Sequence, residues 1–344
     1  MDSNIFKNTS IVVFEKLYYE DVNITNHEDI EDTNQTIYYP EIKTNASDDL
    51  TKSHVGSLGK TQTITDIVEY SNLIVGKEYT VKGVLMNKDT EKAIIDADGN
   101  EITAETVFTP DETNGSVELV YTVDSTLLRG ETAVVFEDLY HNNINVTSHA
   151  DIEDENQTIY FPNIQTTALC DGKHNIIENK TVTVIDTVKY ENLVVGKTYK
   201  VSGVLMNKET KAEMTIDGKP ITGETEFTPE KTSGSVEVEF VFDSSKVNGN
   251  SLVVFEELYD VETDTLIGDH KDIDDEDQTV TIDIPNEPPV TPPTTTKKPP
   301  TTTKTPPATP PKTGDVNNIA KVLGIMILAG FVVILFMKKR KTEK

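Results

Sequence analysis

A chain of 344 residues is longer than one ordinary domain, so it is expected to divide into several cores. Its formal net charge of −28 excludes a nucleic-acid binder, which needs clustered Lys and Arg for phosphate contacts, and fits an acidic, solvated surface. A single cysteine, Cys170, excludes an intrachain disulfide, and the six histidines do not fall at metal-ligand spacing, so neither a metal nor another cofactor is expected.

The stretch from Met1 to Glu15 has no basic start followed by an apolar core and cleavage site, and so does not read as an export signal. From Val13-Phe14-Glu15 to Gln35-Thr36-Ile37 runs a segment that returns twice. It recurs as Val135-Phe136-Glu137 to Gln157-Thr158-Ile159 and as Val254-Phe255-Glu256 to Gln278-Thr279-Val280. A histidine precedes the glutamine in each copy, at His27, His149 and His270, with spacings of 122 and 121 residues. Solenoid repeats run about 20 to 50 residues, so this period marks a tandem array of whole domains. Residues 1 to 40 read as the back half of a truncated repeat, and 41 to 162 and 163 to 285 as two complete ones.

Within the complete repeats, runs such as Tyr79 to Met86 and Val236 to Phe242 are rich in β-branched and aromatic residues with a period of two. Asp98-Gly99, Asn114-Gly115, Asp217-Gly218 and Ser233-Gly234 punctuate them as turn signals. The expected fold is all-β: tandem immunoglobulin-like β-sandwiches that lack the Cys and Trp signature of antibody domains.

Polar residues recur on the apolar stripes of these strands. Glutamate interrupts Ile11, Val13, Glu15, Leu17, then Ala133, Val135, Glu137, Leu139, and again Leu252, Val254, Glu256, Leu258, which places one acid on the buried side three times over. Aspartate does the same in Ile64, Asp66, Val68, Tyr70 and in Val184, Asp186, Val188, Tyr190. Threonine lies between Ile42 and Ala46 as Thr44 and between Ile164 and Ala168 as Thr166, while Gln157 and Gln278 open the stripes that end at Phe161 and Ile282. A buried polar side chain without a partner costs about 1 to 3 kcal/mol, so recurrence at matched positions points to a satisfied cluster. Its chemistry is legible. A threonine hydroxyl is a nucleophile that needs a base, a glutamine carboxamide is an acyl donor, and a histidine can accept the hydroxyl proton. Two close carboxyls in an apolar place cannot both ionise, so one stays protonated and can polarise the amide carbonyl. Attack joins Thr to Gln as an ester and releases ammonia.

From residue 286 to 312 the composition changes to Pro, Thr and Lys, which cannot bury a core and reads as an extended spacer. Pro310-Pro311-Lys312-Thr313-Gly314 follows, then an apolar span over residues 319 to 337 and a basic tail over 338 to 344 that sets the cytoplasmic side. A membrane-directed C-terminus without an export signal leads to the expectation that an N-terminal part precedes this sequence.

The C-terminal arrangement resembles the sorting signals of Gram-positive surface proteins, in which a sortase cuts Leu-Pro-x-Thr-Gly between Thr and Gly and joins the Thr to peptidoglycan. Pro311, Thr313 and Gly314 match that motif, with Thr313 as the attachment residue, and Pro310 replaces its leucine. The repeats resemble the Thr-Gln ester-bond immunoglobulin-like domains, or VaFE repeats, of Gram-positive adhesins. The resemblance implies a Thr44–Gln157 cross-link assisted by Asp66, Glu137 and His149, and a Thr166–Gln278 cross-link assisted by Asp186, Glu256 and His270. The truncated repeat keeps Glu15, His27 and Gln35, so Gln35 is expected to lack a partner. The implied protein is a stiff, wall-anchored adhesin stalk on the cell surface. It is held in the membrane by its C-terminal helix before sorting, and its domains act once on themselves rather than as an enzyme. A host-surface ligand would be bound by the preceding N-terminal region.

Other readings are weaker on the residues. A Lys-Asn isopeptide bond would need Lys43 and Asn156, but Lys43 faces away from Thr44, and the matching residues are Gln165 and Asp277. The acidic run Asp272 to Asp277 lacks the spacing of a calcium loop. A pilin-like polymerised subunit has no lysine that marks itself as the joining site. A secreted glycan-binding or hydrolytic β-sandwich would lack a Trp platform, and its candidate nucleophiles would be buried.

Overall fold

The computed structural model describes residues 6–176, 180–247 and 249–283. The expected spacer (286–312), sorting motif (310–314), apolar span (319–337) and basic tail (338–344) lie outside the described residues. Among the described residues the chain is built of strands, and no helix is long and apolar enough to cross a membrane.

In chain order, the first segment holds β1 (Thr9–Val12), β2 (Glu15–Tyr19), β3 (Val22–His27) and β4 (Thr36–Tyr39). The first sandwich follows with β5 (Glu41–Asp48), β6 (Gln62–Ser71), β7 (Tyr79–Asn87), β8 (Lys92–Ala93), β9 (Thr103–Phe108), β10 (Gly115–Val123), β11 (Thr132–His141), β12 (Ile144–His149) and β13 (Thr158–Tyr160). The second holds β14 (Asn163–Leu169), β15 (Asn175–Ile176), β16 (Thr181–Glu191), β17 (Tyr199–Asn207), β18 (Thr215–Ile216), β19 (Lys219–Pro220), β20 (Thr222–Phe227), β21 (Gly234–Asp243), β22 (Ser251–Asp260), β23 (Thr265–His270) and β24 (Thr279–Ile282).

Each sandwich pairs a three-stranded sheet with a larger one. In the first, β5, β6 and β10 form the small sheet, and β7 and β11 centre the large one, with β12 and β13 both on β11. In the second, β14, β16 and β21 face a sheet centred on β17 and β22, with β23 and β24 both on β22. Alternation decides what is buried. Ile42, Ala46, Ile64 and Val68 of one sheet share a core with Val81, Leu85, Val135 and Leu139 of the other, and Lys43, on the opposite side of its strand, is exposed. Ile164, Ala168, Val184, Val188, Val201, Leu205, Val254 and Leu258 repeat this in the second core.

The first copy of the stripe departs from expectation. All of β2 is exposed, Val13 and Leu17 stand 41% and 59% accessible, and Glu15 meets solvent rather than a core. The physical reason is the pairing: β1 with β4 and β2 with β3 are two-stranded ribbons, and no second sheet covers Glu15 among the described residues.

Two of the expected turn signals serve another purpose. Gly115 and Gly234 begin β10 and β21, and a Cβ on either would lie 2.5 Å from the hydroxyl of Tyr70 or Tyr190. Asp217-Gly218 is a true hairpin turn between β18 and β19, with φ of 53° and 79°.

Successive repeats meet through a repeated asparagine. Asn72 and Asn192 both adopt a left-handed backbone, with φ of 61° and 64°. Asn72 donates its amide to the carbonyls of Thr9 and Tyr39, at 2.5 and 3.1 Å, and Asn192 donates to those of Glu131 and Phe161, at 2.6 and 3.2 Å. Their side-chain oxygens accept from Ser10 and Thr132, each at 3.1 Å.

Opposite the core glutamates, the neighbouring strand carries glycine: Glu137 pairs with Gly83 and Glu256 with Gly203. The missing side chain admits an aromatic ring from the facing sheet, Tyr121 in the first repeat and Phe240 in the second. A Cβ on Gly203 would lie 2.5 Å from the Phe240 ring. Gly203→Ala is therefore expected to destabilise the second sandwich by about 1 to 3 kcal/mol, read as a lower urea midpoint; an unchanged midpoint would contradict this packing.

Candidate functional site

The site lies between the two sheets, and each contributes. Thr44 on β5 and Asp66 on β6 come from the small sheet, where Thr44 is opposite Val68 and Ala46 opposite Asp66, so both project from the same face. Glu137 on β11 and Gln157, in the single 3₁₀ turn Glu155–Gln157 before β13, come from the large sheet. Glu137 and His149 are twelve apart in sequence but are direct partners across the β11–β12 hairpin. The second repeat places Thr166, Asp186, Glu256, His270 and Gln278 in the same way, with Glu256 paired to His270.

Burial is nearly complete. Asp66, Gln157, Asp186, Glu256 and Gln278 are 0% exposed, Glu137 is 1%, and Thr44 and Thr166 are 8% and 6%. Thr44 Oγ1 donates to Glu137 Oε2 at 3.3 Å, and Gln157 Nε2 donates to Asp66 Oδ1 at 3.3 Å. The Gln157 amide also lies directly against Thr44 Oγ1. In the second repeat, Thr166 Oγ1 donates to Glu256 Oε2 at 3.2 Å and Gln278 Nε2 to Asp186 Oδ1 at 3.3 Å.

Three buried oxygens per site have no hydrogen-bond partner among the described residues: Asp66 Oδ2, Glu137 Oε1 and Gln157 Oε1 in the first, and Asp186 Oδ2, Glu256 Oε1 and Gln278 Oε1 in the second. Each pair places two carboxyls together in a buried site, where both cannot ionise at once and one keeps its proton. Burial raises both members, and the charge of Asp66 then pushes Glu137 much further, as that of Asp186 does Glu256. Asp66 and Asp186 rise to about 6 through burial, held back by the adjoining glutamate and the charge of the histidine. The glutamate is thus the protonated partner. Tyr121, in the first repeat alone, adds a buried hydroxyl whose ionisation is suppressed by burial and by both acids.

The histidines are half-buried at the margin of the cluster. No hydrogen bond joins His149 to Thr44 among the described residues. Instead its Nε2 pairs with Asp154 at 2.8 Å, as His270 does with Asp275 at 2.8 Å and His27 with Asp32 at 2.7 Å. Sequence reasoning missed these aspartates, although an Asp five residues after each histidine is a signal that could have found them. Asp154 also caps the turn that carries Gln157: its side chain accepts from Asn156 N, and its carbonyl accepts from Gln157 N and Thr158 Oγ1. Burial pulls Asp275 up, but the hydrogen bond from His270 and the Asp277 N–H hold it below the usual carboxylate range. Glu15 and His27 are exposed, and the structure does not assemble them with Gln35 into a cluster.

Known proteins place the chain. The family described as the T-Q ester bond containing domain matches residues 1–39, 40–161 and 162–282, and the LPXTG cell wall anchor motif matches 311–344. The chain belongs to the T-Q ester bond domain family. It is a surface protein that sortase anchors to the cell wall of a Gram-positive bacterium. No curated protein sequence matches it. A bacterial adhesin from Mobiluncus mulieris containing intramolecular disulfide, isopeptide and ester bond cross-links is 16% identical over 65% of this chain and 82% of that one, with a TM-score of 0.31. A glycosyl hydrolase family 2 member from Bacteroides cellulosilyticus is 9% identical over 60% of this chain and 28% of its own, with a TM-score of 0.24. Neither likeness carries weight for function.

The shared proton gives a pH dependence with a definite sign. Before any bond forms, the native pair holds protons that the unfolded carboxyls release, so stability falls as pH rises above about 4.5 and continues to fall towards the raised value of Glu137, about 10. In a Thr44→Ala chain, adding Glu137→Gln removes this uptake. The free energy of unfolding of the double variant minus that of Thr44→Ala is expected to grow between pH 5 and pH 8 by about 1 kcal/mol or more. A flat or falling difference would count against a protonated pair.

Proposed function

We propose that each complete repeat, 41 to 162 and 163 to 285, closes itself with one ester bond, Thr44 to Gln157 and Thr166 to Gln278, and that the chain serves as the stiff stalk of a wall-anchored adhesin. The observation that carries this reading is the contact of the Gln157 amide with Thr44 Oγ1 inside a buried carboxyl pair. Its carboxyl geometry recurs in the second repeat.

The carboxyls form a relay from nucleophile to leaving group. Thr44 Oγ1 attacks Gln157 Cδ as its proton passes to Glu137 Oε2. Glu137 passes the proton it held on Oε1 to Asp66, and the Asp66 carboxyl, which accepts from Gln157 Nε2 through Oδ1, turns and delivers that same proton to Nε2. The C–N bond breaks, the Oγ1–Cδ bond forms, and ammonia departs with one proton gained. The pair ends with the proton it began with. His149, fixed by Asp154, faces this relay, and its charge favours the ionised form of Asp66. The site is consumed by its own reaction, so a repeat turns over once and is not an enzyme.

The bond would join the small sheet to the large one and close a loop spanning 113 positions in the first repeat. By analogy with disulfides, such closure contributes about 5 kcal/mol. Thr166 follows Gln157 by nine positions, so pulling force would pass from one ester through a short link to the next. A host ligand would then be held by a segment N-terminal to this stalk.

Intact-protein mass spectrometry of the full chain is expected to show loss of two ammonia equivalents, one in Thr44→Ala and none in the Thr44→Ala, Thr166→Ala double variant. An unshifted wild-type mass after folding would defeat the proposal.

A further inference from the structure

We propose that the first repeat positions the histidine strand of the second, so that closing the Thr166–Gln278 bond depends on docking of the preceding repeat. This rests on the ester reading above. His270 ends β23, a strand whose ladder partner within its own repeat, among the described residues, is β22, across a ladder that shifts register between Leu258 and Tyr259. The contacts on the outer side of β23 come from the first repeat. Arg129 donates Nη1 to the carbonyl of Asp269 at 2.8 Å and Nη2 to its carboxylate at 2.5 Å, gripping the residue next to His270 at two points. Leu58 N donates to Leu266 O at 2.9 Å, and Thr265 Oγ1 to Leu50 O at 3.4 Å. Val55, fully buried, packs into the apolar cluster of the second repeat, which includes Ile267.

Among the described residues, the first repeat's histidine strand has no counterpart of the Arg129–Asp269 pair. By the 122-residue spacing, Lys7 takes the position of Arg129, and Ser148 takes that of Asp269. Ser148 turns its hydroxyl to Asp138 of its own repeat. Both histidines nevertheless hold the same ladder partner and the same aspartate. In the second repeat, that geometry is held partly from outside. Arg129 is a positioning residue, since it touches neither Thr166 nor Gln278. Asn192 supplies the second point of attachment between the repeats, on the Phe161 and Glu131 carbonyls.

The test follows both bonds in one chain. Full-length protein is made by cell-free synthesis, quenched at intervals and digested, and the two cross-linked peptide pairs are quantified by mass spectrometry. In Arg129→Ala, formation of the Thr166–Gln278 bond is expected to slow about 10-fold, a typical inter-site coupling, while the Thr44–Gln157 bond keeps its wild-type rate. Arg129→Lys is expected to restore part of the rate, because a point charge replaces one of the two contacts. The first bond reports folding of the repeat that carries the substitution. If wild type forms both bonds but Arg129→Ala leaves the second rate unchanged, or slows both equally, the proposal is overturned alone. If wild type forms neither, the ester reading falls and takes this proposal with it.

Discussion

Two buried carboxyls that cannot both ionise constrain everything around them. Asp66 and Glu137 are on facing sheets, so they meet only when both sheets are correctly registered. A slip of one residue on β6 or β11 would turn an acid to solvent and break the pair. The apolar neighbours secure that register: Ile64 and Val68 flank Asp66, Val135 and Leu139 flank Glu137, and all four are fully buried. Hydrophobic alternation thus performs the alignment, and the acids carry the chemistry.

Topology explains why these residues are so far apart in sequence. β5 opens the sandwich as an edge of the small sheet, and β13 closes it on the large sheet beside β11. The first and last strands of the repeat are therefore neighbours across the core, and a bond between them encloses nearly the whole fold. A covalent link from Thr44 to Gln157 would leave little of the repeat outside the closed loop, so a pull on the chain ends would find no hairpin to peel. The asparagine contacts extend this logic between repeats: Asn192 grips the carbonyl of Phe161, four positions beyond Gln157. One repeat's closing segment is held by the turn that follows β16 of the next.

Much of this was legible in the sequence because two periods coincided. A period of two marked the strands and, with them, which polar residues had to face inward; a period near 120 residues showed that these were not accidents. Together they singled out Thr44, Asp66, Glu137 and Gln157 and their counterparts as inward-facing, and all eight are buried. The failures have physical causes. Glu15 lies on the same stripe as Glu137, yet a stripe is buried only when a second sheet covers it, which pattern along one strand cannot reveal. Asp154 was missed because it stands in a polar turn, where an aspartate is unremarked as a cap. Its second bond, to His149, depends on how the hairpin folds back. Gly115 and Gly234 read as turns because the tyrosine rings that require them come from another strand.

The same burial that makes the acid pair costly also bears on the lifetime of the product. An ester exposed to water hydrolyses, and the carboxyl relay that would form this bond could equally deliver water to break it. What separates formation from reversal is access. The reacting threonine arrives with the chain and needs no path from solvent, whereas water must cross a core in which Gln157 and Asp66 are wholly covered and Thr44 is 8% exposed. Ammonia leaves once and is diluted outside, so mass action opposes its return. The buried site therefore favours the bond at both stages: desolvation holds the proton that starts the reaction, and exclusion of water keeps the product.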